Sequence, residues 1–118
     1  MNDGEKIELL YSDVIRKGGL LSTVREMFKD DLTGIEVNGF GTGQSYAHLQ
    51  LGRRSSQILL CLDERLFLID FWETGQKRAW ASSRELADVK TMIQMWMEQS
   101  SIDAMSERFP SIQKRNSS

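Results

Sequence analysis

The sequence predicts an α+β fold: an antiparallel meander of four or five strands, preceded by two helices and followed by one long and one short helix. Three observations predict it. Apolar residues recur at helical spacing from Glu5 to Lys29, strand-sized apolar runs separated by short turns fill Ile35 to Ala81, and helical spacing returns after Ser82. The 118 residues, 40% hydrophobic and 27% charged, have the composition of an ordinary globular domain. A chain of this length can withdraw roughly two-thirds of its unfolded surface from water, enough for one core without disulfide or metal support. We read residues 1–112 as a single domain and residues 113–118, which lack any apolar side chain, as a disordered polar tail.

From Glu5 to Lys17, Ile7, Leu10, Tyr11 and Val14 fall on one helical stripe, and Gly18-Gly19 supplies the stop. A second helix over Leu21 to Lys29 carries Leu21, Val24, Met27 and Phe28 on its apolar side. Asp30 to Gly34 breaks the pattern, and Ile35-Glu36-Val37 is long enough only for a brief edge strand. Between Tyr46 and Leu51 the residues alternate, with Ala47, Leu49 and Leu51 on one side and Tyr46, His48 and Gln50 on the other. Gly52 to Ser55 reads as a turn, Gln57 to Leu62 as an apolar strand, and Asp63-Glu64-Arg65 as a second turn. Leu66 to Glu73 is the strongest strand, and Gln76 to Ala81 returns beside it after Thr74-Gly75. Such short connections demand antiparallel neighbours. Ser82 with Glu85 forms a capping-box pattern ahead of a helix carrying Leu86, Val89, Ile93, Trp96 and Met97. Ser100-Ser101 then caps a last helix, about Ile102 to Arg108, ended by Phe109-Pro110.

Composition bounds the function. The single cysteine, Cys61, excludes an internal disulfide, and with one histidine the common zinc cages cannot be assembled in one chain. We expect no metal and no cofactor. A net charge of −2 offers no long-range attraction for polyanions, so nucleic acid is not the expected partner. No apolar run approaches the roughly 20 residues of a membrane span, and Met1 to Lys6 lacks a secretory pattern. A cytoplasmic location away from membranes is the expectation.

The chemistry-bearing residues are few. Gly39, Gly41 and Gly43 form a glycine-rich loop that could approach a phosphate closely, but it neither opens a helix nor carries the Lys-Ser/Thr of a P-loop; a mobile surface loop is the simpler reading. His48 could act as a base, and its best partner would be Asp70, which interrupts the apolar run Leu66 to Trp72. Asp70 could equally face solvent or pair with Arg65 or Arg78. Trp96 reads as core; Trp72 and Trp80 flank a turn and would either pack or form an exposed aromatic platform. Arg53-Arg54 and Lys77, Arg78 and Arg84 are the basic groupings, read as part of a mixed-sign surface. Met92, Met95, Met97 and Met105 suit either core filling or an adaptable contact surface.

Leu10-Tyr11-Ser12-Asp13-Val14, Gly18-Gly19-Leu20, Asp70-Phe71-Trp72-Glu73-Thr74-Gly75, Glu85-Leu86-Ala87-Asp88-Val89 with Trp96, and Arg108-Phe109-Pro110 occur in this order along the chain. In these motifs the chain, from about Leu9 to Pro110, resembles an uncharacterised bacterial family sometimes labelled natural-product biosynthesis proteins. That resemblance transfers no activity, substrate or catalytic residue. It implies a bacterial, cytoplasmic accessory protein.

The helix stripes need one apolar surface, and the sheet is the only one large enough; its other face is then left for contact. If that face carries Tyr46, His48, Gln50, Asp70, Trp72 and Arg78, it suits a protein partner or a second copy of the chain, and we name Tyr46, His48, Asp70, Trp72, Arg78 and Trp80 as candidate binding residues. The expected function is therefore a non-catalytic interaction module, possessing no catalytic residue we can name. The competing expectation is a small-molecule or enzymatic site built from the Gly39–Gly43 loop with His48 and Asp70.

Overall fold

The computed structural model describes residues 2–41 and 43–115. Helices α1 (Asp3–Leu10), α2 (Ser12–Arg16) and α3 (Leu20–Phe28) precede strands β1 (Glu36–Asn38), β2 (Tyr46–Leu51), β3 (Arg54–Leu60), β4 (Phe67–Glu73) and β5 (Gln76–Ser83). Helices α4 (Leu86–Met97) and α5 (Ile102–Arg108) and the short strand β6 (Gln113–Lys114) follow. The strands form one antiparallel sheet in the order β1-β2-β3-β4-β5-β6. The α+β class and the meander are as the sequence predicts, but the sheet has six strands where four or five are expected.

Alternation builds the core. Ala47, Leu49, Ile58, Leu60, Phe67, Ile69, Phe71, Ala79 and Ala81 all lie on one side of the sheet and are buried. Ile7, Tyr11, Val14, Leu20, Val24 and Phe28 from the first three helices join the same cluster, as do Val89, Ile93 and Trp96 from α4 and Met105 from α5. Met92, Met97 and Met105 are buried, so most of the methionine-rich stretch fills the core.

The first expected helix is broken at Tyr11, whose backbone (φ −131°, ψ 45°) leaves the helical region between α1 and α2. Periodicity hides the break, because Ile7, Tyr11 and Val14 still all face the core. The cause is tertiary. The Tyr11 hydroxyl sits against the β3–β4 connection, within 2.6 Å of the Cys61 carbonyl, 3.0 Å of Leu66 O and 3.1 Å of Glu64 O, and it accepts the Leu66 N–H at 2.9 Å. Beside it the Arg65 guanidinium makes a two-pronged pair with Asp13, at 2.8 and 3.0 Å, and donates to the carbonyls of Leu10 and Arg84. Gly18 and Gly19 then close α2 at φ 95° and 107°, a region closed to most side chains, with the Gly19 N–H returning to Val14 O.

Three other boundaries differ from expectation. The turn after β2 is only Gly52-Arg53, since Leu51 already pairs with Arg54; Arg54 is thus a strand residue and 9% exposed, not part of the expected mixed-sign solvated surface. Its Nε pairs with Glu73 at 2.9 Å, and its Nη1 donates to the carbonyls of Trp96 and Ser100 at 2.8 and 2.7 Å. The guanidinium lies 3.8 Å from the centre of the Trp96 ring, capping the C-terminal end of α4 with positive charge. The anticipated capping box at Ser82 does not form, because β4 claims Ser82 and Ser83 through Leu68 and Phe67. Glu85 occupies the cap position, and its N–H reaches Ser83 Oγ at 3.1 Å. Finally, residues 113–115 of the expected disordered tail are held to the sheet: Ile112 is buried, Gln113 and Lys114 pair with Trp80 and Ala79, and the Arg115 N–H donates to Arg78 O. The rest of that tail, residues 116–118, lies outside the described residues.

Replacing Tyr11 by Phe keeps the ring contact with Phe67 but strips the loop of its hydroxyl; unfolding in urea should show a loss of about 1–3 kcal/mol with an unchanged slope. The hydrogen bonds from Arg65 hold the Asp13 carboxyl below its ordinary value. The pair therefore stabilises the fold fully above the unfolded carboxylate pKa of about 3.9 and loses that contribution as pH falls through the lower folded value. Urea midpoints measured from neutral pH down to acid should fall less steeply in Asp13→Asn than in the parent.

Candidate functional site

The strand register sorts the other face of the sheet into three rows. Tyr46, Leu59, Leu68 and Ser82 cross it in one row; His48, Gln57, Asp70 and Trp80 form the middle one; Gln50, Ser55, Trp72 and Lys77 form the third. No residue of these rows is in the buried class, in contrast to the core rows between them. Leu59, Leu68 and Trp80, 42%, 40% and 41% exposed, are three of the large apolar side chains left open to solvent. They gather on one patch, because Leu59 pairs with Leu68 and Trp80 lies one row away on the next strand. A shallow depression of about 290 Å³ follows Leu68, Asp70, Lys77 and Trp80.

Five of the six candidate binding residues share this face. Tyr46, His48, Asp70, Trp72 and Trp80 are together, whereas Arg78 lines a separate groove with Arg54 and Glu73. The separation has a local cause: the register shifts between Phe71 and Trp72, so that Phe71 faces Ala79 while Trp72 faces Lys77, and Arg78 is the extra residue of a bulge. Lys77, which the sequence reading left out of the site, takes the place intended for Arg78. Its Nζ lies 3.3 Å from Asp70 Oδ1 and 5.3 Å from the centre of the Trp80 ring. The nearby Trp72 indole N–H is buried without an acceptor among the described residues.

His48 and Asp70 are not brought together. Gln57 stands between them in the middle row, which places them two strands, or about 9–10 Å, apart. Asp70 pairs with Lys77 instead of Arg65, Arg78 or His48.

The glycine-rich loop is turned toward packing. The Leu20 and Leu21 amides at the start of α3 donate to the carbonyls of Gln44 and Gly43 at 3.1 and 2.9 Å. These are the donors an anion at that helix end would need. A Cβ on Gly39 would come within 2.7 Å of Leu21 Cδ2, and one on Gly43 within 3.0 Å of Leu21 Cβ, so two of the glycines let the loop lie against the helix. This segment is thus packed against α3 before Thr42 and hydrogen-bonded to it after, Thr42 itself lying outside the described residues. Among the described residues, no group of three or more His, Cys, Asp or Glu side chains could hold a metal ion, and no helix is long and apolar enough to cross a membrane.

Comparison with known protein families, with curated proteins and with solved structures returns no match. The site must therefore be argued from its own geometry.

Gly43 and Gly41 both have positive φ, 73° and 62°, but only Gly43 also lies against Leu21. Both Gly→Ala variants should lose on the order of 1 kcal/mol to backbone strain, with a further loss at Gly43 from contact with Leu21. Thermal or urea unfolding of the two variants side by side checks the difference.

Proposed function

We propose that the protein is a non-catalytic interaction module that binds through the uncovered face of its sheet, and that the occupant of this face is a second copy of the chain. One observation carries the reading: the helices all lie on the core side, leaving Leu59, Leu68 and Trp80 clustered and 40–42% exposed on the other. Burying such side chains contributes roughly 25 cal/mol per Å² of apolar surface, and aromatic anchors of this kind dominate interface energies.

Charge favours a self-complementary contact. The patch holds one carboxylate and one ammonium side by side, Asp70 and Lys77. In a two-fold interface each surface meets its own copy, so an Asp70 can face the other copy's ammonium group without net repulsion. A face carrying a single sign of charge would repel itself.

Area sets the strength. The four long strands, of six to eight residues, present on the order of 450 Å² in projection at the usual strand spacings. A stable interface takes about 800 Å² from each partner. The association is therefore weak and concentration-dependent, as befits an accessory module. The resemblance to uncharacterised bacterial proteins supports the same role, in a bacterial cytoplasm.

Light scattering over a concentration series up to the millimolar range should show the parent moving from monomer toward dimer, and a Leu68→Ser/Trp80→Ser variant remaining monomeric at an unchanged far-ultraviolet spectrum. A parent that stays monomeric throughout, or a double variant that dimerises equally well, overturns the self-association reading. His48→Ala should leave stability within about 0.5 kcal/mol of the parent.

A further inference from the structure

A second surface, apart from the sheet face, gathers positive charge. Three widely separated stretches, around Arg54, Arg78 and Lys114-Arg115, line one groove of about 410 Å³ together with Glu73 and Asp103. That volume lies within the range of small-molecule sites, about 300–1,000 Å³. The chain as a whole is slightly acidic, at −2, so the concentration of four cations here is local.

The arrangement is built rather than incidental. Arg54 is buried and its guanidinium is fixed on three sides, by Glu73, by the carbonyls of Trp96 and Ser100, and by the face of the Trp96 ring. Its Nη2 has no hydrogen-bond partner among the described residues. Arg78 is brought to the groove by the β5 bulge, and Arg115 by its place directly after β6, where the Arg115 N–H donates to Arg78 O at 2.9 Å. The two arginines are thus cross-strand neighbours, an arrangement in which like charges repel.

The charge count defines the ligand. Glu73 lies 2.9 Å from Arg54, and Asp103 lies 3.5 Å from Lys114, so two of the four cations are matched. Arg78 and Arg115 have no carboxylate within ion-pair distance among the described residues. Two unmatched guanidinium groups beside a prefixed third call for a compact dianion. A carboxylate carries one charge, whereas a phosphate monoester carries close to two at neutral pH and offers three acceptor oxygens to guanidinium forks.

We propose that this groove binds the phosphoryl group of a small phosphorylated molecule, with Arg78 and Arg115 neutralising its charge and the fixed Arg54 orienting it. The site is independent of the sheet face: Lys77 serves the one and Arg78 the other.

Inorganic phosphate is the probe, added to the ¹⁵N-labelled full chain at constant ionic strength, with acetate as the monoanionic control. Phosphate should give saturable shifts at the amides of Arg54, Arg78, Asp103 and Arg115, and acetate should not. Arg78→Gln/Arg115→Gln should weaken phosphate binding by about tenfold or more without lowering the melting temperature, since it removes a like-charge cross-strand pair, and with the dimerisation of the parent unchanged. A labelled sugar phosphate competing for the same shifts more tightly than inorganic phosphate supports a phosphorylated metabolite as the natural ligand. Absence of saturable shifts, equal shifts with acetate, or undiminished binding by the double variant overturns the proposal.

Discussion

Strands β2 to β5 place most of their apolar residues on one side by alternation, interrupted at the β5 bulge, and every helix must find that side or leave its own stripe in water. The helices come from both ends of the chain, yet Val24, Phe28, Val89, Ile93 and Trp96 enter a single cluster with Leu49, Ile58, Ile69 and Phe71. This one-sidedness is the constraint from which the remainder follows. Because both helical segments compete for the same face, the other face is left with Leu59, Leu68 and Trp80 in the open.

Two arginines fasten the helices to that layer by the same physical device. Arg65 reaches Asp13 and the Leu10 carbonyl while lying near the rings of Tyr11 and Phe67; Arg54 reaches Glu73 and the Trp96 and Ser100 carbonyls while lying on Trp96. A planar guanidinium can donate in its plane and stack through its face, which an ammonium cannot. Each arginine therefore ties a helix terminus or break to a sheet end where apolar packing alone would leave carbonyls unpaired. The difference is exposure: Arg65 sits on a partly open rim, whereas Arg54 is sealed inside except toward the groove beside Glu73.

The sequence made the meander legible because hydrophobic period and turn chemistry agree throughout Tyr46 to Ala81, and it made the open face legible because the same alternation names its residues. What it hid was decided by contacts between distant residues. The Tyr11 break preserves the helical spacing of Ile7 and Val14, so no local signal marks it. Ser82 and Glu85 satisfy a capping pattern that loses to cross-strand pairing with Leu68 and Phe67. Gln113 and Lys114 carry no apolar residue, and only the buried Ile112 before them hints that the chain is anchored there. Arg54 reads as a surface charge until its pairing with Leu51 shortens the turn. Of the candidate site, the strand residues could be named from alternation, but a bulge changes parity, and that exchanged Arg78 for Lys77.

That bulge ties the two surfaces together. One extra residue in β5 keeps Ala79 opposite Phe71 in the core while holding Lys77 opposite Trp72 on the open face, where it meets Asp70. Without it, continuing the regular register from Ala79 would bring Arg78 opposite Trp72, and Lys77 would change sides, since side chains alternate strictly along a regular strand. The open face would then carry an arginine that no longer belongs to the groove, and the groove would lose the cross-strand neighbour of Arg115. A single inserted residue thus assigns one cation to the mixed-sign open face of the sheet and the next to a cationic groove, which is why two adjacent residues of like charge in the sequence have separate surroundings in the fold.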